Sequence, residues 1–248
     1  MGLETAIKAT IDYASKYGCD LTWEEIKERL ISKKIYNLKI LNYKFKKENN
    51  NKFWKEKMKL AKEFTDKYLA KIDDILMVGV TGSLASKYPQ KNDDIDLMII
   101  TRKDSLWLTR FKVFLIFWKF KIPHRTNNND ICINLWLEEM RIPLIKQNLR
   151  NAVDLVLMRP ILNKQDTYKK FLLKNKWAKK YVASPYLKKN ADFELQTLDK
   201  NKQNWVKWVI NRCLYSIQYL YMRPKMKGEL VNLRQAFFHL FAITHQLY

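Results

Sequence analysis

Asp93, Asp94 and Asp96 stand within four residues of one another, and Asp94 and Asp96 alternate with apolar Ile95 and Leu97. On a β-strand, successive side chains point to opposite faces, so Asp94 and Asp96 share one face while Ile95 and Leu97 turn into a core. Two carboxylates on one face suit Mg²⁺ or Mn²⁺, which takes one or two protein carboxylates and completes its shell with phosphate oxygens and water. A cation held there offsets the charge that develops on the attacking and leaving oxygens during transfer of a phosphorus-containing group. Asp93 is expected to be solvated.

The run Ile75–Thr81, ILMVGVT, reads as a buried strand that ends at Gly82-Ser83. At such a turn the missing Cβ lets a triphosphate approach, and the backbone N–H and the Ser83 hydroxyl can donate to it. With five glycines in the whole chain, the placing of Gly79 and Gly82 here is informative. Lys87 and Lys91, in the loop that follows, read as solvated, with contact to a triphosphate the alternative.

An apolar strand, Gly-Ser, ten residues and then Asp-Ile-Asp followed by Leu-Met-Ile-Ile resembles the signature of the polymerase-beta-type nucleotidyltransferase superfamily. The order of elements along the chain is also similar to bacterial proteins that carry this domain. The resemblance implies an α/β core with a short mixed sheet, two divalent ions, and transfer of a nucleoside monophosphate from an NTP, ATP among them, to a hydroxyl or phosphate. It assigns Gly82 and Ser83 to the phosphate-binding turn and Asp94 and Asp96 to the metal. Members of the family carry a further acid, on the strand after the intervening helix, that binds metal and helps activate the acceptor. Here that strand, Asp130–Leu137, has Asp130, Cys132, Asn134 and Trp136 on one face by strict alternation, opposite Ile131, Ile133, Leu135 and Leu137. Asp130 is the expected third catalytic acid, although it opens the strand. Asn134 holds the central position, where a neutral amide is a poor magnesium ligand and no base. If neither serves, Glu138 or Glu139 takes the role, or the chain binds nucleotide without turnover.

The elements that must position these residues give an α/β (α+β) fold: a nucleotidyltransferase core with a short mixed sheet flanked by helices, a winged-helix-like N-terminus and a helical C-terminal region. Three parts are expected, at 1–48, 53–140 and 141–248, the last capping the cleft. In the first, Thr22-Trp23-Glu24-Glu25 has the spacing of a capping box and Gly18 can end the helix before it. IYNLKI and LNYKF, from Ile35 to Phe45, would form a strand pair, and the module either packs or binds DNA. KKENNNK at 46–52 reads as a linker, and a helix is expected over Phe53–Lys71. Leu106–Phe120, LWLTRFKVFLIFWKF, falls short of the roughly 18 residues a bilayer span needs and carries Arg110, Lys112 and Lys119. It reads as a buried helix on the sheet, with a membrane-surface helix as the alternative and no integral membrane insertion. The loop PHRTNNN follows. Asp166–Val182 reads as a basic amphipathic helix, and the stripe Trp205, Trp208, Val209, Arg212 and Tyr215 as helix packing.

A formal net charge of +22 suits an acceptor such as RNA or another polyanion. Ten of the 47 basic residues are Arg, and Lys gives less bidentate phosphate recognition, so the charge alone does not define a nucleic-acid binder. The apolar and aromatic content, 47% and 13%, excludes a disordered chain. Cys19, Cys132 and Cys213 fit no metal-ligand spacing and suit a reducing cytoplasm. His124, His239 and His245 are isolated. The leading expectation is a metal-dependent nucleotidyltransferase. The alternatives are a degenerate nucleotide- or nucleic-acid-binding protein and an antitoxin-like transferase acting on a protein partner.

Overall fold

The computed structural model describes residues 2–38, 51–122, 130–190 and 205–238. Two runs rich in Ile, Val, Leu and Met form β1, Ile75–Val80, and β2, Ile95–Thr101, which pair antiparallel. Both are buried on both faces, which is why they read as continuous apolar runs rather than alternating ones. Helix α5, Leu106–Lys119, then crosses over to β3, Ile131–Glu138, which lies parallel to β2. Strand β4, Arg159–Asn163, pairs antiparallel with β1, and the hairpin of β5, Leu230–Asn232, and β6, Gln235–Phe237, joins the far side of β3. The result is a six-stranded mixed sheet, in the order β4-β1-β2-β3-β6-β5.

Helices cover the two faces of the sheet. On one, Met77, Met98, Ile100, Leu135 and Leu137 pack with α6, Leu149–Leu157, α7, Thr167–Lys174, and α8, Ala183–Asn190. On the other, Val78, Val80, Ile95, Leu97, Ile99 and Trp136 pack with α3, Lys52–Phe64, with α5, and with α9, Trp205–Met222. Helices α1, Leu3–Ser15, and α2, Trp23–Arg29, enclose a small core of their own with Ala6, Ile7, Leu21, Ile26 and Leu30. The Thr22 capping box forms: Glu25 N donates to Thr22 Oγ1 at 3.3 Å, and Thr22 N to Glu25 Oε2 at 3.0 Å.

Several expectations are corrected. Among its described residues the C-terminal region is mainly helical, but it also supplies three strands of the sheet, β4, β5 and β6, that the sequence reading does not anticipate. β4 is short, contains Pro160 and lies at the sheet edge, where a residue lacking an N–H is tolerated. The single helix expected over Asp166–Val182 breaks at buried Asn175, whose Oδ1 accepts from Leu144 N and whose Nδ2 donates to Ile142 O. The helix expected to reach Lys71 is α-helical to Phe64 and continues as a π-turn over Thr65–Leu69. Residues 35–38, expected to open a strand, are irregular. Their backbone is committed elsewhere: Ser32 bridges Val182, and Tyr36 N donates to Ser184 Oγ at 2.8 Å. The rest of that strand pair, most of the 46–52 linker, the 123–129 loop and all three histidines lie outside the described residues. Helix α5 is buried along Leu106, Trp107, Val113 and Phe117 but leaves Phe114, Leu115 and Trp118 exposed. Among the described residues, no helix is long and apolar enough to cross a membrane.

The far end of β3 carries a buried acid. Glu138 accepts a hydrogen bond from Asp104 N and lies 3.8 Å from the Arg234 guanidinium. Burial, with help from the Asp104 and Glu139 charges, pushes its carboxyl up to about 7, against the opposing pull of the Asp104 N–H and Arg234. A raised carboxyl pKa means that the folded state holds the proton more tightly than the unfolded chain. The neutral acid is therefore harmless below about pH 4, and its burial destabilises increasingly as pH rises toward 7. Glu138→Gln should leave the unfolding midpoint nearly unchanged at about pH 4 and raise stability by about 2 kcal/mol at pH 8, read by denaturant titration at both pH values. A loss of stability at pH 8 would show that the ion pair with Arg234 dominates instead.

Candidate active site

The parallel pairing of β2 and β3 brings the motif residues together at one end of the sheet. Ile95 N donates to Asp130 O at 2.7 Å, which fixes the strands in register. Asp94 Oδ1 accepts from Asp130 N at 3.2 Å, and its Oδ2 lies 3.5 Å from the Cys132 thiol. Asp96 Oδ1 accepts from Asn134 Nδ2. Asp94, Asp96, Cys132 and Asn134 are all half-buried, whereas Asp130 is buried. Asn134, and not Asp130, therefore occupies the place beside Asp96. Among the described residues, no three of His, Cys, Asp and Glu are grouped so as to hold a metal ion by themselves.

Strict alternation along β3 does not hold. Leu97 is opposite Ile133 and Met98 is opposite Leu135, so Asn134 is the extra residue of a β-bulge. Beyond it the faces exchange: Leu135 and Leu137 join the core beneath Asp94 and Asp96, and Trp136 turns to the other side. The bulge detaches Asn134 from the ladder pairing and aims its amide at Asp96. Desolvation, reinforced by the charges of Asp94, Asp96 and Asp130 and by the bond to Asp94, pushes the Cys132 thiol up to about 12. It stays protonated and acts as a donor, not as a nucleophile.

The Gly82-Ser83 turn lies directly against this pair. Thr81 N donates to Asp96 O at 2.9 Å, and the chain turns at Gly82 with φ +64°. A Cβ at position 82 would collide with Asp96, within 3.2 Å of its Cγ and closer still to Oδ2. Gly82 is required for that contact as well as for its backbone conformation. Helix α4, Gly82–Ser86, follows at once. Its last carbonyls are each tied by a side chain from a different element. Trp54 Nε1 of α3 donates to Leu84 O at 3.0 Å, Arg159 Nε of β4 to Ala85 O at 3.2 Å, and Arg29 Nη2 of α2 to Ser86 O at 2.9 Å.

Lys87, in the left-handed conformation at φ 72°, does not extend toward the carboxylates but pairs with Glu28 at 3.1 Å. Arg159 meets the same carboxylate at 3.1 Å. Burial would raise Glu28, but the Lys87 and Arg159 cations outweigh it and hold the carboxyl below its ordinary value.

Two further groups border the site without any signal in the sequence. Lys57 of α3 is buried and donates to Lys91 O at 3.1 Å and Asp93 O at 2.6 Å, clamping the loop that leads into Asp94. Desolvation lowers its pKa, against the opposing charges of Asp93 and Asp94. Asp93 itself accepts from Gln90 N in an exposed turn, as expected of a solvated residue. On the other side, Asp154 of α6 is open to solvent along part of its side chain and faces Arg150 at 4.0 Å. Helix α6 packs on the face of the sheet that carries Asp94 and Asp96. A helical period over 149–157 marks α6, but nothing in that period says which sheet residue lies beneath Asp154.

Family models, curated proteins and solved structures offered no match to this chain.

Proposed function

We propose that this chain is a metal-dependent nucleotidyltransferase that moves a nucleoside monophosphate from an NTP to a hydroxyl or phosphate acceptor. One observation carries the reading: the Gly82 turn touches Asp96, so a phosphate-approachable turn and a carboxylate pair meet at one point. The residues fit Mg²⁺ or Mn²⁺, since Asp94 and Asp96 supply the one or two carboxylates that such an ion takes from a protein whose substrate supplies phosphate oxygens. Bound there, the ion would neutralise charge on the triphosphate and on the acceptor oxygen. Gly82 leaves space for the Asp96 carboxylate to lie against the turn, and the Ser83 hydroxyl and the backbone of the turn would donate to the phosphates. Lys57 holds Asp94 in place through the 91–93 loop, and Asn134 orients Asp96. Asp130 is withdrawn from solvent and braces Asp94 through its backbone, so abstraction of the acceptor proton falls to solvent or substrate.

A second reading, nucleotide binding without turnover, is favoured by one specific feature, the amide of Asn134 where an acid would bind metal. Transfer from α-labelled ATP, CTP, GTP and UTP into host RNA, protein and metabolite fractions, with Mg²⁺ or Mn²⁺, decides between the two. Label in one fraction names the acceptor class, RNA being the expected one for a chain of charge +22. Nucleotide binding by calorimetry with no label in any fraction would establish the second reading.

Asn134→Asp tests the geometry from the other side. Without metal it places a like charge beside Asp96 and should lower the melting temperature by several degrees. Added Mn²⁺ should restore that loss and stabilise the variant more than the wild type. Equal metal responses would show that position 134 does not face the ion.

A further inference from the structure

Helix α9 leaves much of its apolar surface outside the core. Two of its polar residues face the protein beside Leu214, Tyr215 and Met222: Asn211 Oδ1 accepts from Trp107 N at 2.8 Å and Leu108 N at 3.1 Å, and Gln218 Nε2 donates to Trp107 O at 3.0 Å. Its outer side is largely apolar, with Arg212 and Ser216 among the exposed residues. Val206, Val209, Ile210, Cys213, Ile217 and Leu220 recur at helical spacing over about 20 Å, and all are exposed. Leu220 and Ile217 are 65% and 64% exposed. The adjoining α5 adds Phe114, Leu115 and Trp118, the last 74% exposed, and Trp205 at the start of α9 is 73% exposed. Exposed apolar and aromatic side chains gathered on two helices that pack together are the kind of surface that marks an interaction site.

The charges around it define the occupant. The stretches 106–120 and 205–228 contain eight Lys and Arg residues and no Asp or Glu. Asp74, an acid that reaches these helices, is neutralised between Lys112 and Lys207. Three of the other six flank exposed or part-exposed aromatic residues: Arg212 lies 4.4 Å from the Trp208 ring centroid, Lys119 5.5 Å from that of Phe120, and Lys225 4.1 Å from that of Tyr221. An apolar stripe with Trp and Phe, edged by Lys and Arg, is the pattern by which helices lie in the interface of an anionic bilayer. A second copy of a chain with formal charge +22 would be repelled from the same face. We infer that the outer face of α5 and α9 docks on an anionic lipid surface. This face lies across the sheet from Asp94 and Asp96, so docking leaves the cleft open to the aqueous side.

The test is co-sedimentation of the full chain with phosphatidylcholine vesicles, alone or with roughly 30% phosphatidylglycerol. Binding should be at least about tenfold stronger to the anionic vesicles and fall with added salt. The double variant Trp118→Ser/Leu220→Ser, whose side chains are exposed, should keep its circular dichroism and melting temperature while losing about tenfold in vesicle binding. Should this variant misfold, the charge reversal Lys119→Glu/Arg212→Glu provides the same readout through the anionic preference alone. Absence of binding to anionic vesicles overturns the proposal, as does equal binding by wild type and folded variant. A wild-type dimer in sedimentation velocity that the double variant converts to monomer, without vesicle binding, assigns the face to a second copy instead.

Discussion

Asp96→Asn should reduce nucleotide transfer by about a thousandfold or more while the protein remains folded. The substitution is chosen for what it keeps. The amide oxygen it introduces can still accept from Asn134 Nδ2, and the backbone bond from Thr81 N to the carbonyl of residue 96 is untouched. What disappears is the negative charge, and with it the proposed hold on a divalent ion. Asp94→Asn should lose transfer to a similar extent but also lose some stability, because Asp94 braces β3 through Asp130 N and Cys132. Label transfer, Mn²⁺ titration and thermal unfolding, run in parallel, separate the two effects. Full transfer by Asp96→Asn would end the assignment of this carboxylate to the metal.

Gly82→Ala should cost both stability and activity, and a second glycine allows the two to be separated. Gly82 and Gly18 both lie at positive φ, +64° and +68°. An alanine at either costs about 1–2 kcal/mol of backbone strain. At Gly18 nothing lies within 4 Å of the added Cβ, so Gly18→Ala should lose stability alone. At Gly82 the Cβ must displace the Asp96 carboxylate, and a displacement on the order of 1 Å at a reacting centre can cost about a hundredfold in rate. Equal residual transfer by the two variants would show that the Gly82–Asp96 contact does not matter to the chemistry.

Much of the central sheet was legible in the sequence because its strands are strongly apolar. ILMVGV and IDLMIIT could belong only to buried strands, and the Thr22 capping box is a purely local arrangement. What escaped is tertiary in origin. β4, β5 and β6 are three to five residues long and exist because a neighbour offers ladder bonds, and five residues containing Pro160 carry no period of their own. The break at Asn175 depends on Leu144 and Ile142, some thirty residues earlier. At the candidate site, Gly82, Ser83, Asp94 and Asp96 lie in one stretch of the chain and could be read directly. The central place of Asn134 could be read as well, but not the exchange of faces beyond it, since a β-bulge shifts the alternation by one residue and only the pairing register reveals it. Lys57 looked like any other lysine of a basic helix, because its burial is set by the 91–93 loop folding over it.

The ties on α4 also link regions that the chain order keeps apart. Arg29, Trp54 and Arg159 hold three successive carbonyls behind the Gly82 turn, so a change in the shape of that turn is expected to reach α2, α3 and β4 through them. Whatever binds at the turn must then protect amides in all three elements from exchange, and by reciprocity loosening α2 must weaken that binding. The N-terminal helices thus serve as a thermodynamic gauge of the site's occupancy, readable about Arg29 without a probe in the cleft.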